Sequence, residues 1–177
     1  MSQGLNKDRI TQLLHMLDHE LGTQGSTGEL HLVGGAVMCL VFDARPATKD
    51  LDALFRPTAE IREAAGRIAE AENLPADWLN DAVKGFLSNN AEWSPYLDLP
   101  NLKVFVARPE YLLALKSAAM RIGEGYSDID DVRFLLRYLN ISQFDHALTV
   151  IGRYLDPHRI PQKTLYALEE LLPQTST

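Results

Sequence analysis

Cysteine is nearly absent: Cys39 is the only one in 177 residues. A single thiol excludes a disulfide framework and fits a reducing compartment. Its place in an apolar segment predicts a small buried hydrophobe rather than a nucleophile. Histidine is sparse as well, and none of the five pairs with cysteine at a metal-ligand spacing. His15 and His19 stand four apart, but with Asp18 they read as a solvated helix face. Basic runs are missing too. The chain has 17 Lys and Arg against 24 Asp and Glu, a net charge of −7, and no Lys/Arg cluster exceeds a pair. That excludes an obligate, sequence-nonspecific nucleic-acid coat and leaves room only for a local basic site. The longest apolar run, Ala36 to Phe42, is far shorter than the roughly 20 residues a membrane helix needs. Met1 to Glu20 lacks the continuous apolar core of a signal segment, so the expectation is a cytoplasmic protein without membrane contact.

What is present is a globular composition, 46% apolar and 23% charged, enough for a proper core. One domain is the default at this length, with room for two small subdomains. The stretch from Leu30 to Phe55 organises the rest. A short apolar run stops at Gly34-Gly35; an apolar segment, a polar loop and a second apolar run carrying Asp50 and Asp52 follow. Side chains on a strand repeat every two residues, so both carboxylates are predicted on one strand face. There they repel each other unless a cation sits between them. A glycine pair that opens a helix offers free backbone N–H groups to an anion. A divalent cation beside a phosphate-binding turn is the arrangement that nucleotide transfer needs. The plainer alternative is a turn followed by an exposed strand face.

Around that stretch, periodicity predicts the other elements. Ile10, Leu13, Leu14, Leu17 and Leu21 mark a helix from Leu5 to Leu21, ended by the turn Gly22 to Gly28. His31 alternates with Leu30 and Leu32 on the first strand, where a structural role is the simpler reading. Thr58 is predicted to cap a helix running to about Asn73, and Pro75 to open another from Ala76 to about Leu87. Tyr96 to Leu99 and Leu102 to Ala107 read as short strands around a Pro100-Asn101 turn. From Pro109 the chain reads as helical to its end. An apolar stripe runs through Leu112, Leu113, Leu115, Ala119 and Ile122 to Gly123. Capping boxes at Ser127/Asp130 and Ser142/Asp145 start two further helices, the second ending before Pro157. Pro161 opens a last helix closed by Pro173.

Three motifs stand in order along the chain. The first is Gly34-Gly35, then Arg45, Thr48 and Asp50-Leu51-Asp52. The second is Glu110 and Lys116 on the apolar helix from Pro109 to Ala119, and the third is Asp128-Ile129-Asp130-Asp131, opening the next helix. Together they resemble the signature of the DNA polymerase beta-like nucleotidyltransferase superfamily, and within it the AbiEii-type toxin nucleotidyltransferases. The resemblance implies that Gly34 and Gly35 contact a triphosphate and that Arg45 and Thr48 belong to the nucleotide site. It also implies that Asp50 and Asp52 bind Mg²⁺, an oxygen-seeking ion, for in-line displacement. Lys116 would neutralise phosphate charge as a point cation, and Asp128 and Asp131 would complete the site. The plainer readings are a helix-surface lysine and acidic residues favoured by a helix N-terminus. Arg121 is placed to pair with either aspartate.

The chain departs from the superfamily at one place. A third metal-binding carboxylate is usual on a later central strand, and Leu102 to Ala107 has none. Asp98 and Asp81 are the nearest replacements. The expected fold class is α+β: a small mixed-sheet nucleotidyltransferase core flanked by helices (1–107) and a C-terminal helical bundle (108–177). The resemblance implies a Mg²⁺-dependent enzyme moving a nucleoside monophosphate from an NTP to an RNA (a tRNA among the candidates), protein or small-molecule acceptor. A toxin with an antitoxin partner belongs to the same expectation. The alternative is a non-catalytic module of the same fold that binds a protein partner.

Overall fold

The computed structural model describes residues 4–86 and 88–172; Leu87 and Pro173, which the sequence reading used as helix ends, lie outside them. The fold is α+β. The chain divides into two compact units, residues 4–85 with 93–107 and a helical unit of residues 108–172. The segment around 88–92 goes with the helical unit instead of the first one.

In the first unit, α1 (Lys7–Thr23) buries Ile10, Leu13, Leu14, Leu17 and Leu21, the spacing expected of one helix face. It starts two residues later than the apolar pattern predicts. Asn6 takes the cap position, its Oδ1 accepting the Arg9 N–H at 2.8 Å. Leu5 leaves the helix to exchange backbone hydrogen bonds with Thr48, at 2.7 and 2.9 Å.

Five strands follow: β1 (Gly28–Val33), β2 (Leu51–Arg56), β3 (Leu79–Asn80), β4 (Trp93–Asp98) and β5 (Leu102–Ala107). They form one sheet in the order β3-β2-β1-β5-β4. β1 runs antiparallel to β2 and parallel to β5; β2 is parallel to β3, and β4 antiparallel to β5. Leu30, Leu32, Leu51, Ala53, Val104 and Val106 alternate onto one buried face. α3 (Thr58–Glu72) and α1 pack on each other and onto this side of the sheet. A Cβ on Gly28 would meet Ile61 Cδ1 at 2.9 Å, so the small residue lets α3 approach. The opposite face is half-buried and carries Asp52, Leu54, His31, Phe105 and Trp93.

Two local predictions change here. The helix expected from Ala76 to about Leu87 is replaced by β3 and a 3₁₀ turn over Ala82–Phe86. Trp78 drives the change: it is 1% exposed, and its indole N–H donates to the Ala65 carbonyl at 3.0 Å. That contact holds Leu79 and Asn80 alongside Leu51 and Asp52, and sheet pairing overrides weak helix propensity. Thr58 is the first helical residue and not the cap; its hydroxyl donates to the Phe55 carbonyl at 3.4 Å. β4 begins at Trp93, earlier than expected, and its register shifts between Pro95 and Leu97, as an edge strand tolerates.

The second unit holds α4 (Pro109–Ala118), α5 (Asp128–Tyr138), α6 (Phe144–Ile151) and α7 (Gln162–Leu171). Pro109 sits in the first turn of α4 as predicted. α4 stops before Ile122, which is 48% exposed instead of completing the apolar stripe. Neither capping box forms. Ser127 is the cap residue of α5 but makes no side-chain cap bond, and α6 is preceded by Gln143, one residue past Ser142. α6 ends at Ile151, well before Pro157, which lies in a 3₁₀ turn capped by Asp156. Among the described residues no helix is long and apolar enough to cross a membrane.

Candidate active site

Within the first unit, the loop between β1 and α2 (Gly34–Leu40) meets the start of β2. β1 ends at Val33, which pairs with Asp52 in antiparallel register. Gly34 then turns the chain with φ +68°, in the left-handed region that suits glycine. A Cβ there would lie 3.0 Å from Asp52 Oδ2, so the carboxylate rests directly against the turn. At Gly35 a Cβ would lie 2.7 Å from both Arg45 Nη1 and Thr48 Oγ1. The two glycines therefore give room to an acid on one side and to a guanidinium and a hydroxyl on the other.

Asp50 is placed differently from the sequence reading. β2 begins at Leu51, so Asp50 lies in the bend just before it and does not share a strand face with Asp52. Thr48 Oγ1 donates to the Asp50 carbonyl at 3.2 Å, and Asn80 Nδ2 approaches Asp50 Oδ2 at 3.5 Å, a long contact. Asn80 is itself the β3 partner of Asp52. The structure thus brings together Gly34, Gly35, Arg45, Thr48, Asp50 and Asp52. It adds Asn80, which sequence reasoning missed because a two-residue strand has no periodicity to detect.

Neither replacement carboxylate joins them. Asp98 pairs with Lys103, and Lys103 with Glu29, which places it at the opposite end of the sheet from the Val33–Asp52 pair. Four residues of strand separate those rows on β1, roughly 13 Å. Asp81 is held in ion pairs, by Arg62 at 2.7 Å and by Lys84. The Lys84 hydrogen bond foremost, then the Arg62 charge, outweigh slight burial and keep the Asp81 carboxyl below its ordinary pKa. Among the described residues no group of three His, Cys, Asp or Glu side chains could hold a metal. Two carboxylates with phosphate oxygens are nonetheless an adequate donor set for Mg²⁺, which keeps several of its waters. Asp50 and Asp52 fit that chemistry.

The second unit gathers Lys116, Asp128 and Asp131 into a cluster of its own. Lys116 Nζ lies 3.2 Å from Asp128 Oδ1 and 2.7 Å from Asp131 Oδ2. Arg121 adds two bonds to Asp128 Oδ2, from its backbone N–H at 3.0 Å and its Nε at 2.9 Å. Lys116 is 9% exposed and both aspartates 3%, so these charges are buried and mutually compensated. Burial pushes the Asp128 carboxyl up, but Arg121 and the Lys116 charge together outweigh it and hold the pKa below its ordinary value. Lys116 is therefore not the plain surface lysine of the simpler reading. Arg121 also lies over the Tyr126 ring, 4.7 Å from its centroid.

One further feature lies on the sheet face that carries Asp52. His31 stacks on Phe105, with centroids 4.7 Å apart and planes 11° from parallel, and meets Trp93 edge-on at 4.9 Å. Burial lowers the His31 pKa, with Arg56 acting in the same direction and Glu29 against it. No family model, no curated protein and no solved structure matches the chain.

Proposed function

We propose that this chain is a Mg²⁺-dependent nucleotidyltransferase, moving a nucleoside monophosphate from an NTP to an acceptor hydroxyl. The observation that carries the reading is the convergence of Gly34, Gly35, Arg45, Thr48, Asp50 and Asp52, residues up to 18 positions apart, at one turn. Glycine at positions 34 and 35 lets Asp52, Arg45 and Thr48 come up against the turn, where a triphosphate would meet them together with the backbone N–H groups. Asp50 and Asp52 would hold Mg²⁺, which when bound neutralises phosphate charge and favours in-line displacement. Arg45, whose Nη1 lies against Gly35, would orient the phosphates, and Thr48 fixes the bend that carries Asp50.

In the reaction the acceptor oxygen bonds to the α-phosphorus, and the bond from that phosphorus to the bridging oxygen breaks. Pyrophosphate leaves with the electron pair, and the acceptor proton passes to water. Acceptors consistent with the reading are an RNA such as a tRNA 3′ end, a protein hydroxyl or a small molecule. A toxin controlled by an antitoxin, working in the cytoplasm, belongs to the same reading; the buried lone Cys39 suits a reducing setting.

The test is the double variant Asp50→Asn with Asp52→Asn. It is expected to abolish Mg²⁺-dependent NTP turnover while the fold persists; undiminished turnover overturns the reading. A second reading, a non-catalytic module that binds a protein partner, is favoured by one observation: neither Asp98 nor Asp81 reaches Asp52. Calorimetric titration with each NTP and Mg²⁺ separates the two, because the module gives no metal-dependent heat.

A further inference from the structure

The segment ahead of α1 makes a contact that the proposed transfer does not use. Leu5 N–H donates to the Thr48 carbonyl at 2.7 Å, and Thr48 N–H donates back to the Leu5 carbonyl at 2.9 Å. The Leu5 side chain is 4% exposed, so apolar burial fastens the bridge as well. Its other end is tied to a helix, because Asn6 caps the first turn of α1. Gly4 closes against the same loop. A Cβ there would lie 2.9 Å from Ala47 Cβ and 3.4 Å from the Thr48 carbonyl oxygen.

Thr48 hands this contact on to the carboxylate site. Its Oγ1 donates to the Asp50 carbonyl at 3.2 Å and lies 2.7 Å from the position of a Gly35 Cβ. The loop is anchored at one end by Ala44 N–H on the Met38 carbonyl, at 2.9 Å. At the other end Leu51 N–H donates to the Trp78 carbonyl at 2.7 Å. Arg45, Thr48 and Asp50 all lie between those anchors, and the Leu5 bridge holds the span in its middle.

We propose that Gly4 and Leu5 form a clasp on the nucleotide site, Leu5 being a positioning residue that sets Asp50 through Thr48. The proposal rests on the nucleotidyltransferase reading and concerns the control of that same site. Mg²⁺ takes its oxygen ligands at about 2.0–2.1 Å in near-octahedral geometry, so it tolerates little displacement of a carboxylate. A released Thr48 frees the bend that carries Asp50, and affinity for Mg²⁺ with NTP falls. Linkage makes the effect reciprocal: whatever the closed clasp adds to ligand affinity, bound ligand adds to the closed clasp.

The experiment follows backbone amides by NMR in the whole chain, titrated with Mg²⁺ and a non-hydrolysable NTP analogue. Affinity is read from the Gly34 and Gly35 amide shifts, and local opening from hydrogen exchange at Leu5 and Thr48. Gly4→Ala pushes the segment off Ala47, and Leu5→Ala removes its buried anchor. Both are expected to bind about fivefold or more weakly, the lower end of coupling between two sites. Gly4→Ala/Ala47→Gly gives back the room and should recover most of the affinity. In the wild-type chain, bound ligand should slow exchange at both amides by the same factor. Urea midpoints establish which variants are folded. A bridge that only closes the core lowers those midpoints and leaves the affinity of the folded chain alone. Wild-type affinity in folded Gly4→Ala and Leu5→Ala, or exchange that bound ligand leaves unchanged, overturns this inference while the nucleotidyltransferase reading stands. Wild-type binding no tighter than that of Asp50→Asn/Asp52→Asn overturns the reading itself, and the clasp with it.

Discussion

The Asp52 carboxylate occupies the space beside Gly34 that any other residue's side chain would enter, 3.0 Å from the ideal Cβ position. Gly34 also holds φ +68°. Gly34→Ala therefore meets two penalties at once, a left-handed backbone and a contact with a charged oxygen. Together they are expected to cost about 1–3 kcal/mol, read as a lowered urea midpoint. The companion Gly34→Ala/Asp52→Ala removes the contact and should recover part of the loss. No recovery means that the backbone alone accounts for the cost.

Lys116 gives a larger effect. Its ammonium is the shared partner of two aspartates that are each 3% exposed. Lys116→Met leaves those carboxylates with reduced compensation, and breaking a buried pair from one side typically costs about 3–5 kcal/mol. Adding Asp131→Leu to Lys116→Met should restore much of it, since the charge balance improves. Urea denaturation of the single and double variants checks this; a double variant no more stable than Lys116→Met contradicts the account.

The same cluster sets an acid limit. The folded Asp128 carboxyl has a pKa below its unfolded value, so its contribution is fully present above the ordinary carboxylate range, about 3.9. That contribution is lost as pH falls through the lowered folded value. Arg121→Gln removes the largest charge-stabilising hydrogen bond and should shift the acid unfolding midpoint upward. Acid titration followed by circular dichroism measures it, and an unchanged midpoint removes Arg121 from the explanation.

Long-period and short-period apolar patterns were readable because they report burial directly. β5 matches its predicted span, Pro109 opens α4, and Leu30/Leu32 alternate with His31 as a half-buried strand should. What the pattern missed depends on partners distant in sequence. β3 exists because Trp78 reaches Ala65 and Asn80 pairs with Asp52, neither of which leaves a periodic trace. Asp50 falls off the strand because Thr48 is bound to Leu5 and shapes the bend before it. The Gly-Gly and Asp-x-Asp spacing showed which residues to compare, while their approach was set by strand register. The stack of rings was hidden for the same reason, since His31, Phe105 and Trp93 come from three strands. The unused capping boxes at Ser127 and Ser142 show the reverse case, a local signal left without its hydrogen bond.

His31 tests the sheet face independently of any substrate. Its folded pKa is lowered, chiefly by burial in the stack, with Arg56 adding to the effect and Glu29 opposing it. Between that lowered value and the unfolded one, about 6.5, the unfolded chain binds more protons than the folded chain. Stability therefore rises with pH across this window and is lost on acidification from neutral pH into it. His31→Phe keeps a ring against Phe105 and removes the titrating group. Urea unfolding at pH 7.5 and 5.5 should show a smaller loss for His31→Phe than for the wild-type chain. Above pH 7.5 the two proteins should respond alike to pH, because the imidazole is neutral in both folded and unfolded wild-type chains. Equal losses between pH 7.5 and 5.5 would mean that the imidazole titrates alike in both states, contrary to its burial between Phe105 and Trp93.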